Sequence, residues 1–128
     1  MNNFNSLLIE GYVVKEPEKY KTDAGFDNCK LTLGVDRFYS NRNNERVRET
    51  SYFDVEAWGN RKETEAIKEA HPGDTLRVVG RLKQNTWKDK DGKSHSSVSV
   101  VAEYAEFRKR VNTKSKSAEK KVEQEVGR

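Results

Sequence analysis

The chain has 128 residues and a mass of 14.8 kDa, which fits one domain with a short appendage and excludes two independent cores. Only 33% of the residues are hydrophobic while 36% are charged, so we expect a thin core that gains from oligomerisation. No apolar run approaches the roughly 20 residues that cross a bilayer, and residues 1–6 lack the pattern of a signal peptide. We therefore expect a cytoplasmic protein without a membrane partner.

The formal net charge of +4 is unevenly distributed. Residues 108–128 hold eight basic and three acidic side chains, which leaves residues 1–107 with a net charge of −1. Net charge therefore does not mark the body as a nucleic-acid binder, and the positions of charges and rings must decide. Because its C-terminal end is rich in Lys, Ser and Glu, the chain is predicted to fold over 1–107 and to end in a short basic disordered tail over 108–128.

Two strands are predicted in the N-terminal third. Residues 7–14 form an apolar run that the turn-prone Lys15-Glu16-Pro17 closes, and because both faces are apolar, one is expected to contact another subunit. Residues 27–39 begin with a regular alternation that puts four apolar side chains on one face, namely Cys29, Leu31, Leu33 and Val35.

The middle of the chain changes character twice. Residues 40–47 are polar and without a period, which predicts a loop, and residues 48–58 resume an alternation of period two. Its predicted core set is Phe53, Val55 and Ala57, and the opposite face carries Tyr52, Asp54, Glu56 and Trp58. Residues 59–72 then show helical spacing and stop at Pro72-Gly73, which predicts the one helix of the body.

Two more strands complete the pattern, over residues 75–87 and 96–107, with an Asp-Gly hairpin turn between them. The first of them places Leu76, Val78, Gly80 and Leu82 on its core face. The order of three strands, one helix and two strands predicts an all-β fold, the five-stranded Greek-key barrel of the OB-fold, with one helix between strands three and four.

Aromatic and cationic side chains recur together on the strand faces that are predicted to be solvent-exposed. Any one such ring most often only covers a strand neighbour. Single-stranded nucleic acid, however, needs flat faces on which bases stack and cations that hold its backbone, and four rings from three segments meet both needs. The predicted stacking residues are Tyr39, Tyr52, Trp58 and Trp87, and the predicted phosphate contacts are Arg42, Arg46, Arg48, Arg61, Lys83, Lys88 and Lys90.

Acidic residues lie among these rings and have to be explained. Asp54 and Glu56 would repel phosphates, so we expect either a DNA path that avoids them or pairing of the acids with Arg77 or Arg81. A metal-dependent nuclease would need a third ligand, which the sequence does not offer nearby.

Other chemical sites have little support in the sequence. Asp89-Lys90-Asp91-Gly92 lacks the later ligands of a calcium loop, and Cys29, His71 and His95 are too few for a structural zinc site. Cys29 is expected to be a small buried hydrophobe. We therefore expect a protein that is not an enzyme and uses no metal or other cofactor.

Several segments resemble the bacterial single-stranded DNA-binding protein family over residues 3–107. They are Asn5-Ser6-Leu7-Leu8-Ile9-Glu10-Gly11, Leu31-Thr32-Leu33-Gly34-Val35, the stretch Thr50–Gly59, Pro72-Gly73-Asp74, Val79-Gly80-Arg81-Leu82 and the stretch Asn85–Gly92. Members of that family place base-stacking aromatics at the positions of Tyr39, Tyr52, Trp58 and Trp87. The resemblance implies a nucleoid-associated homotetramer that coats single-stranded DNA, with little sequence preference, in replication, recombination and repair.

The C-terminal end departs from the family pattern. Members usually end in an acidic tip that recruits replication and repair proteins, whereas this chain ends Glu125-Val126-Gly127-Arg128 after a basic stretch. Replication and repair proteins therefore stay candidate partners, although the acidic tip that usually recruits them is absent from this sequence. An alternative reading is a primosomal or protein-bridging OB module that uses the same aromatic face as a protein interface.

Overall fold

The structure, a computed structural model, describes residues 2–111. It contains the strands β1 (Leu7–Val13), β2 (Glu18–Lys21), β3 (Asp27–Ser40), β4 (Arg46–Trp58), β5 (Thr75–Lys88) and β6 (Ser94–Lys109), together with a 3-10 turn (Lys62–Thr64) that leads into the helix α1 (Glu65–Glu69). No helix in this described part is long and apolar enough to cross a membrane.

The strands form one sheet in the order β1-β5-β6-β4-β3-β2, and an additional pairing of β1 with β3 closes five of them into a barrel. All pairings are antiparallel except that of β4 with β6, where Val55 lies opposite Val100. The helix connects β4 to β5, the third and fourth barrel strands. The predicted OB-fold barrel is therefore confirmed.

The core fills the barrel with small and branched side chains. Leu31, Leu33, Val55 and Leu76 are fully buried, as the alternation predicted, and Ile67 of α1 closes one end of the barrel. Cys29 is buried beside this helix, with its Sγ 3.9 Å from the Ile67 carbonyl oxygen, and burial raises the pKa of its thiol. A buried thiol of this kind acts as a packing group, as expected.

Two glycines allow the barrel to close between β1 and β3. A Cβ on Gly11 would lie 2.5 Å from the Gly34 carbonyl oxygen, and a Cβ on Gly34 would lie 2.5 Å from the ring of Tyr12. Both distances are too short for a real contact, so any side chain here would push the two strands apart.

A short edge strand, β2, was not predicted. Its four residues are all exposed and show no apolar alternation, so the sequence carried no strand signal for them. They pair with β3 over Asp27 to Lys30 because a tight turn follows, in which the Thr22 hydroxyl oxygen accepts the Phe26 N–H and Gly25 has a φ of 87°.

The loop predicted over residues 40–47 is shorter than expected. β3 and β4 stay paired, in unbroken register, from Asn28 opposite Trp58 to Ser40 opposite Arg46. The turn between them is closed by the Asn41 side chain, whose Oδ1 accepts the N–H groups of Asn43 and Glu45 at 2.9 Å. The two strands thus extend beyond the barrel as a two-stranded ribbon, formed by residues 36–40 and 46–50.

The prediction that Phe53 belongs to the core is wrong, because its side chain is 41% exposed. Leu82, which was predicted on the core face of its strand, is likewise 49% exposed. Both positions face inward by register, but they lie where their strands leave the closed part of the barrel. Alternation alone does not reveal where a barrel ends.

The last strand continues two residues beyond the predicted domain boundary at 107. Val111 is still held to the body, because its N–H donates to Oδ1 of the buried Asp74 at 2.6 Å, and the Arg110 guanidinium lies 3.8 Å from the centre of the Phe107 ring. The rest of the predicted disordered tail, residues 112–128, lies outside the described residues.

Candidate nucleic-acid interface

Three of the four predicted stacking rings share one outward side of the sheet, which we call the ring face. Tyr52 and Trp58 are an even number of residues apart on β4, and Trp87 occupies the outward parity of β5. Ser99 of β6 joins the two regions, because it lies opposite Lys83 and donates a hydrogen bond of 2.6 Å to Glu56 Oε2. The ring face therefore runs across β4, β6 and β5.

Trp58 lies at the centre of the cationic part of this face. Its ring is 38% exposed, the Arg81 guanidinium carbon lies 5.3 Å from the ring centre, and Lys83 Nζ lies 6.0 Å from it. The indole Nε1 donates to Glu56 Oε1 at 3.1 Å, which fixes the orientation of the ring. An oriented, half-open ring with two cations beside it can accept a base and its phosphate.

Glu56 is the buried carboxylate of the ring face. Burial opposes its ionisation, but the hydrogen bonds from Ser99 and Trp58, with Lys30 and Lys83 nearby, outweigh that cost and lower the pKa of Glu56 below its ordinary value of 4.5. Glu56 is therefore ionised at neutral pH, and its charge is directed to these donors.

Of the two alternatives expected for Asp54 and Glu56, pairing with Arg77 or Arg81 is wrong. Asp54 accepts a hydrogen bond from the Thr32 hydroxyl at 3.1 Å. The arginines pair elsewhere, because Arg77 lies 3.1 Å from Glu10 and Arg81 lies 3.9 Å from Glu103. Hydroxyl donors on the neighbouring strands, Thr32 and Ser99, and the indole of Trp58 on β4 itself bind the two carboxylates instead.

Tyr52 is the most exposed of the predicted rings, at 62%. It lies opposite Gly34, and the ring of Tyr12 packs over the same glycine from β1. Arg48 links this region to the ribbon, since it lies 3.3 Å from Asp36 and donates a hydrogen bond of 3.4 Å to the Tyr12 hydroxyl.

Trp87 lies near the tip of the β5–β6 hairpin and is 50% exposed. Its ring stacks on His95, with centres 5.6 Å apart and an angle of 21° between the planes. His95 Nε2 in turn contacts Asp89 Oδ2 at 2.7 Å, and this contact is the main reason that the pKa of Asp89 is lowered. His95 was not predicted as a support for Trp87, although it lies three residues after Gly92 and pairs with Trp87 across the hairpin.

Tyr39 is not on the ring face. It lies opposite Val47, one residue away from Phe38, and the unbroken register therefore puts its side chain on the other side of the ribbon. Its ring is covered by the Arg37 guanidinium carbon, 4.7 Å from the ring centre.

The predicted phosphate contacts are spread over three regions. Arg46 and Arg48 lie on the ribbon, on the side that continues the ring face, and Arg42 is exposed in the turn at its tip. Lys83 lies beside Trp58, where Nζ also donates to Asn85 Oδ1 at 2.5 Å. The remaining three are exposed outside the centre of the ring face. Arg61 precedes the 3-10 turn and lies 3.7 Å from Glu63, Lys88 ends β5, and Lys90 lies in the hairpin turn.

Two further residues belong to this surface and were not predicted as contacts. Arg81 is the cation whose charge lies closest to the Trp58 ring, and Phe38 is a 51% exposed ring on the ribbon. The signal for Arg81 was its place in the alternation of β5. Phe38 had the same kind of signal, because the alternation of Leu33 and Val35, continued along β3, puts Phe38 on the outward side and Tyr39 on the other.

Nothing in the described part of the chain resembles a catalytic metal centre, since residues 2–111 bring together no group of three His, Cys, Asp or Glu side chains that could hold a metal ion.

Comparison with known proteins gives a consistent result. The model of the "Single-strand binding protein family" matches residues 4–108. A single-stranded DNA-binding protein of Aquifex aeolicus is 33% identical over 121 residues, which cover 94% of this chain and 78% of that protein. The one from Deinococcus radiodurans is 35% identical over 98 residues, which cover 77% of this chain but only 32% of the longer relative.

Solved structures support the fold. A structure described as "Plasmodium falciparum SSB complex with ssDNA" superposes with a TM-score of 0.71 at 19% identity, covering 84% of this chain and 96% of that one. A deletion mutant of the single-stranded DNA binding protein from Thermus aquaticus has a TM-score of 0.68 at 24% identity, covering 81% of this chain and 50% of that one. At these identities the likeness concerns the fold alone.

Proposed function

The chain belongs to the single-strand binding protein family, and from that premise we propose that it binds single-stranded DNA with little sequence preference, in replication, recombination and repair. The observation that carries this proposal is the surrounding of Trp58, where an oriented indole is flanked by Arg81 and Lys83 on an open sheet face. Tyr52 extends that face along β4, and Trp87 extends it along β5.

Base stacking explains why unpaired DNA is the ligand. Every base has a flat face, so stacking on Tyr52, Trp58 and Trp87 contributes about 1–3 kcal/mol per base whatever the sequence. In a duplex those faces are covered by neighbouring base pairs, and the rings have nothing to stack on. The same physics accounts for a preference for single strands and for the lack of sequence preference.

Phosphate contacts supply the rest of the affinity. Lys83 and Arg81 serve the centre of the ring face, and Arg46, Arg48 and Arg42 serve the ribbon. Arg61, Lys88 and Lys90 lie further out, where a longer strand would pass. Because Asp54 and Glu56 already accept hydrogen bonds, their charges oppose the phosphates less than bare carboxylates would.

Tyr39 is proposed to contact DNA separately from the other three rings. Its ring is on the reverse side of the ribbon, so a strand that follows the ring face reaches it only by turning around the ribbon edge. We assign Tyr39 to a second pass of a long strand.

Fluorescence of the two tryptophans tests the proposal directly, because each substitution leaves one reporter. The intact chain, Trp58→Ala and Trp87→Ala are titrated with polythymidine and with a matched duplex, at low and at high salt. We expect quenching by the single strand only, a partial loss in each variant and a steep weakening with salt. Absence of any single-strand preference in the intact chain would refute the proposal and favour a protein-bridging role for the same face.

An oligomer, and specifically a homotetramer, fits the surface on the other side of the barrel. Leu8, Val79 and Tyr104 form a cross-strand row on β1, β5 and β6, and Leu8 is 65% exposed. β1 pairs with β3 only at Tyr12 and Val13, so within residues 2–111 the rest of that edge has no strand beside it. A second copy can cover both features.

Mass measurement by light scattering tests the assembly. We expect a tetramer for the intact chain and a smaller species for Leu8→Glu, whereas Val98→Glu, at an exposed apolar position away from the row, keeps the tetramer. A monomeric intact chain would exclude this assembly.

A cytoplasmic, nucleoid-associated location and the lack of enzymatic activity are further parts of the proposal, and they are what a role in coating DNA would entail.

A further inference from the structure

The ribbon has two open sides, and each carries one aromatic ring. Phe38 is 51% exposed and Tyr39 is 38% exposed, although they are neighbours in sequence. Because the register of β3 and β4 is unbroken, Phe38 lies opposite Arg48 on the side that continues the ring face, and Tyr39 lies opposite Val47 on the reverse. Only Phe38 is therefore in line with Tyr52.

Both rings are covered by an arginine at the same distance, but the two arginines differ in charge balance. The Arg46 guanidinium carbon lies 4.7 Å from the centre of the Phe38 ring, and Arg37 lies 4.7 Å from that of Tyr39. Arg37 also pairs with Glu49 at 3.6 Å, whereas no acidic side chain among residues 2–111 forms an ion pair with Arg46. The Phe38 side thus combines a ring with an unneutralised cation.

Distance along the strand makes Phe38 a natural continuation of the ring face. Its cross-strand partner Arg48 is four residues before Tyr52 on β4, which corresponds to about 13 Å at about 3.3 Å per residue. A single strand that stacks on Tyr52 crosses this span in a few nucleotides.

We propose that Phe38 and Arg46 form a further one-nucleotide subsite, in which the base stacks on the ring and its phosphate binds the guanidinium. This inference rests on the proposed single-stranded DNA binding, and it pairs Arg46, a predicted phosphate contact, with Phe38, a ring that neither the sequence analysis nor the family likeness assigned. It makes Phe38, and not Tyr39, the ribbon ring that a short strand on the ring face contacts.

A short oligothymidylate of about 10 nucleotides, a length within the range that one OB-fold covers, tests the subsite. The full chain is compared with Phe38→Ala, Phe38→Tyr, Tyr39→Ala and Trp58→Ala by fluorescence anisotropy of the labelled strand. We expect Phe38→Ala to weaken binding about 5-fold or more, Phe38→Tyr to restore most of it, and Tyr39→Ala to stay within about 2-fold of the intact chain. Unchanged thermal unfolding of each variant shows that the barrel is intact.

The outcome separates this inference from the proposed function. If Trp58→Ala loses affinity while Phe38→Ala does not, the subsite is wrong and single-stranded DNA binding stands. If the intact chain itself fails to bind the strand, the proposed function fails and the subsite fails with it.

A salt titration independently tests whether Arg46 binds a phosphate. Each phosphate contact to a single strand contributes about 0.7 to the slope of log K against log salt. We expect Arg46→Gln to reduce the slope by about that amount, while Arg37→Gln, which removes a charge already paired with Glu49, changes it much less. Equal slopes for Arg46→Gln and the intact chain would overturn the phosphate part of the subsite.

Discussion

The barrel part of the ring face and the ribbon place aromatic residues in different ways. On the barrel, the exposed Trp58 follows Ala57, which is fully buried, so the core determines which side the indole faces. On the ribbon, Phe38 and Tyr39 are both exposed, and no core determines which of them is functional. An alternating sequence therefore identifies a binding face only where the opposite face is buried.

The largest expected difference between the barrel and the ribbon is in the free energy of unfolding, and two substitutions on β3 measure it. Leu33→Ala removes a fully buried side chain from the barrel and is expected to lower the free energy of unfolding by about 2–5 kcal/mol. Phe38→Ala, on the ribbon, is expected to change it by less than about 0.5 kcal/mol. Urea unfolding followed by circular dichroism measures both, and a comparable loss in the two variants would show that the ribbon has a core of its own.

The next effect concerns binding on the barrel. Trp58→Ala is expected to reduce the affinity for polythymidine by about 1–3 kcal/mol, and Trp58→Phe by less, because a ring remains to stack. Phe26→Ala is the matched control, since Phe26 is a 63% exposed ring in the β2–β3 turn and is not on β4, β5 or β6, the strands that carry the ring face. Equal losses for Trp58→Ala and Phe26→Ala would mean that exposure alone, and not position on the ring face, governs binding.

Much of the fold could be predicted from the sequence because the barrel strands bury one side. The alternation of Cys29, Leu31 and Leu33 located β3, and the Asp-Gly turn located the β5–β6 hairpin. β2 was missed since all of its residues are exposed, and the extended start of β4 was missed because the Asn41 side chain, and not an apolar pattern, closes the turn before it.

The site could be predicted in part, for the same physical reason. Alternation on β4 and β5 put Tyr52, Trp58 and Trp87 on one outward side, and the register agrees. It did not assign Tyr39 to the reverse of the ribbon, and it did not identify the partners of Asp54 and Glu56. Two of those partners, Thr32 and Ser99, depend on which strands are neighbours in space, which a single sequence does not state.

A smaller effect separates a barrel cation from a ribbon cation. Lys83 lies beside Trp58 and donates a hydrogen bond to a neutral amide, so Lys83→Gln should lower the salt slope of DNA binding by about 0.7. Arg48 is already paired with Asp36 at 3.3 Å, so Arg48→Gln should lower it less. Salt titrations of both variants measure the difference, and the reverse order would indicate that the ribbon carries the main phosphate path.

The smallest effect is a pH dependence of stability that should be larger on the barrel than on the ribbon. Because the pKa of Glu56 is lower in the folded chain than its ordinary value of 4.5, the unfolded chain binds more protons near that pH, and stability rises with pH there. The stabilisation is fully present above 4.5 and is lost as the pH falls through the lower folded pKa. Glu56→Gln keeps an acceptor oxygen for the Trp58 indole and offers an amide N–H that the Ser99 hydroxyl can accept, but it cannot titrate. Its unfolding free energy should therefore fall less steeply below that pH than that of the intact chain. On the ribbon, the pKa of Asp36 is also lowered, chiefly by the hydrogen bond from Thr50, but solvent screens this exposed carboxylate, so Asp36→Asn should change the acid profile less. Urea unfolding across pH 3 to 6 compares the two, and an Asp36→Asn effect as large as that of Glu56→Gln would mean that burial on the barrel does not distinguish these carboxylates.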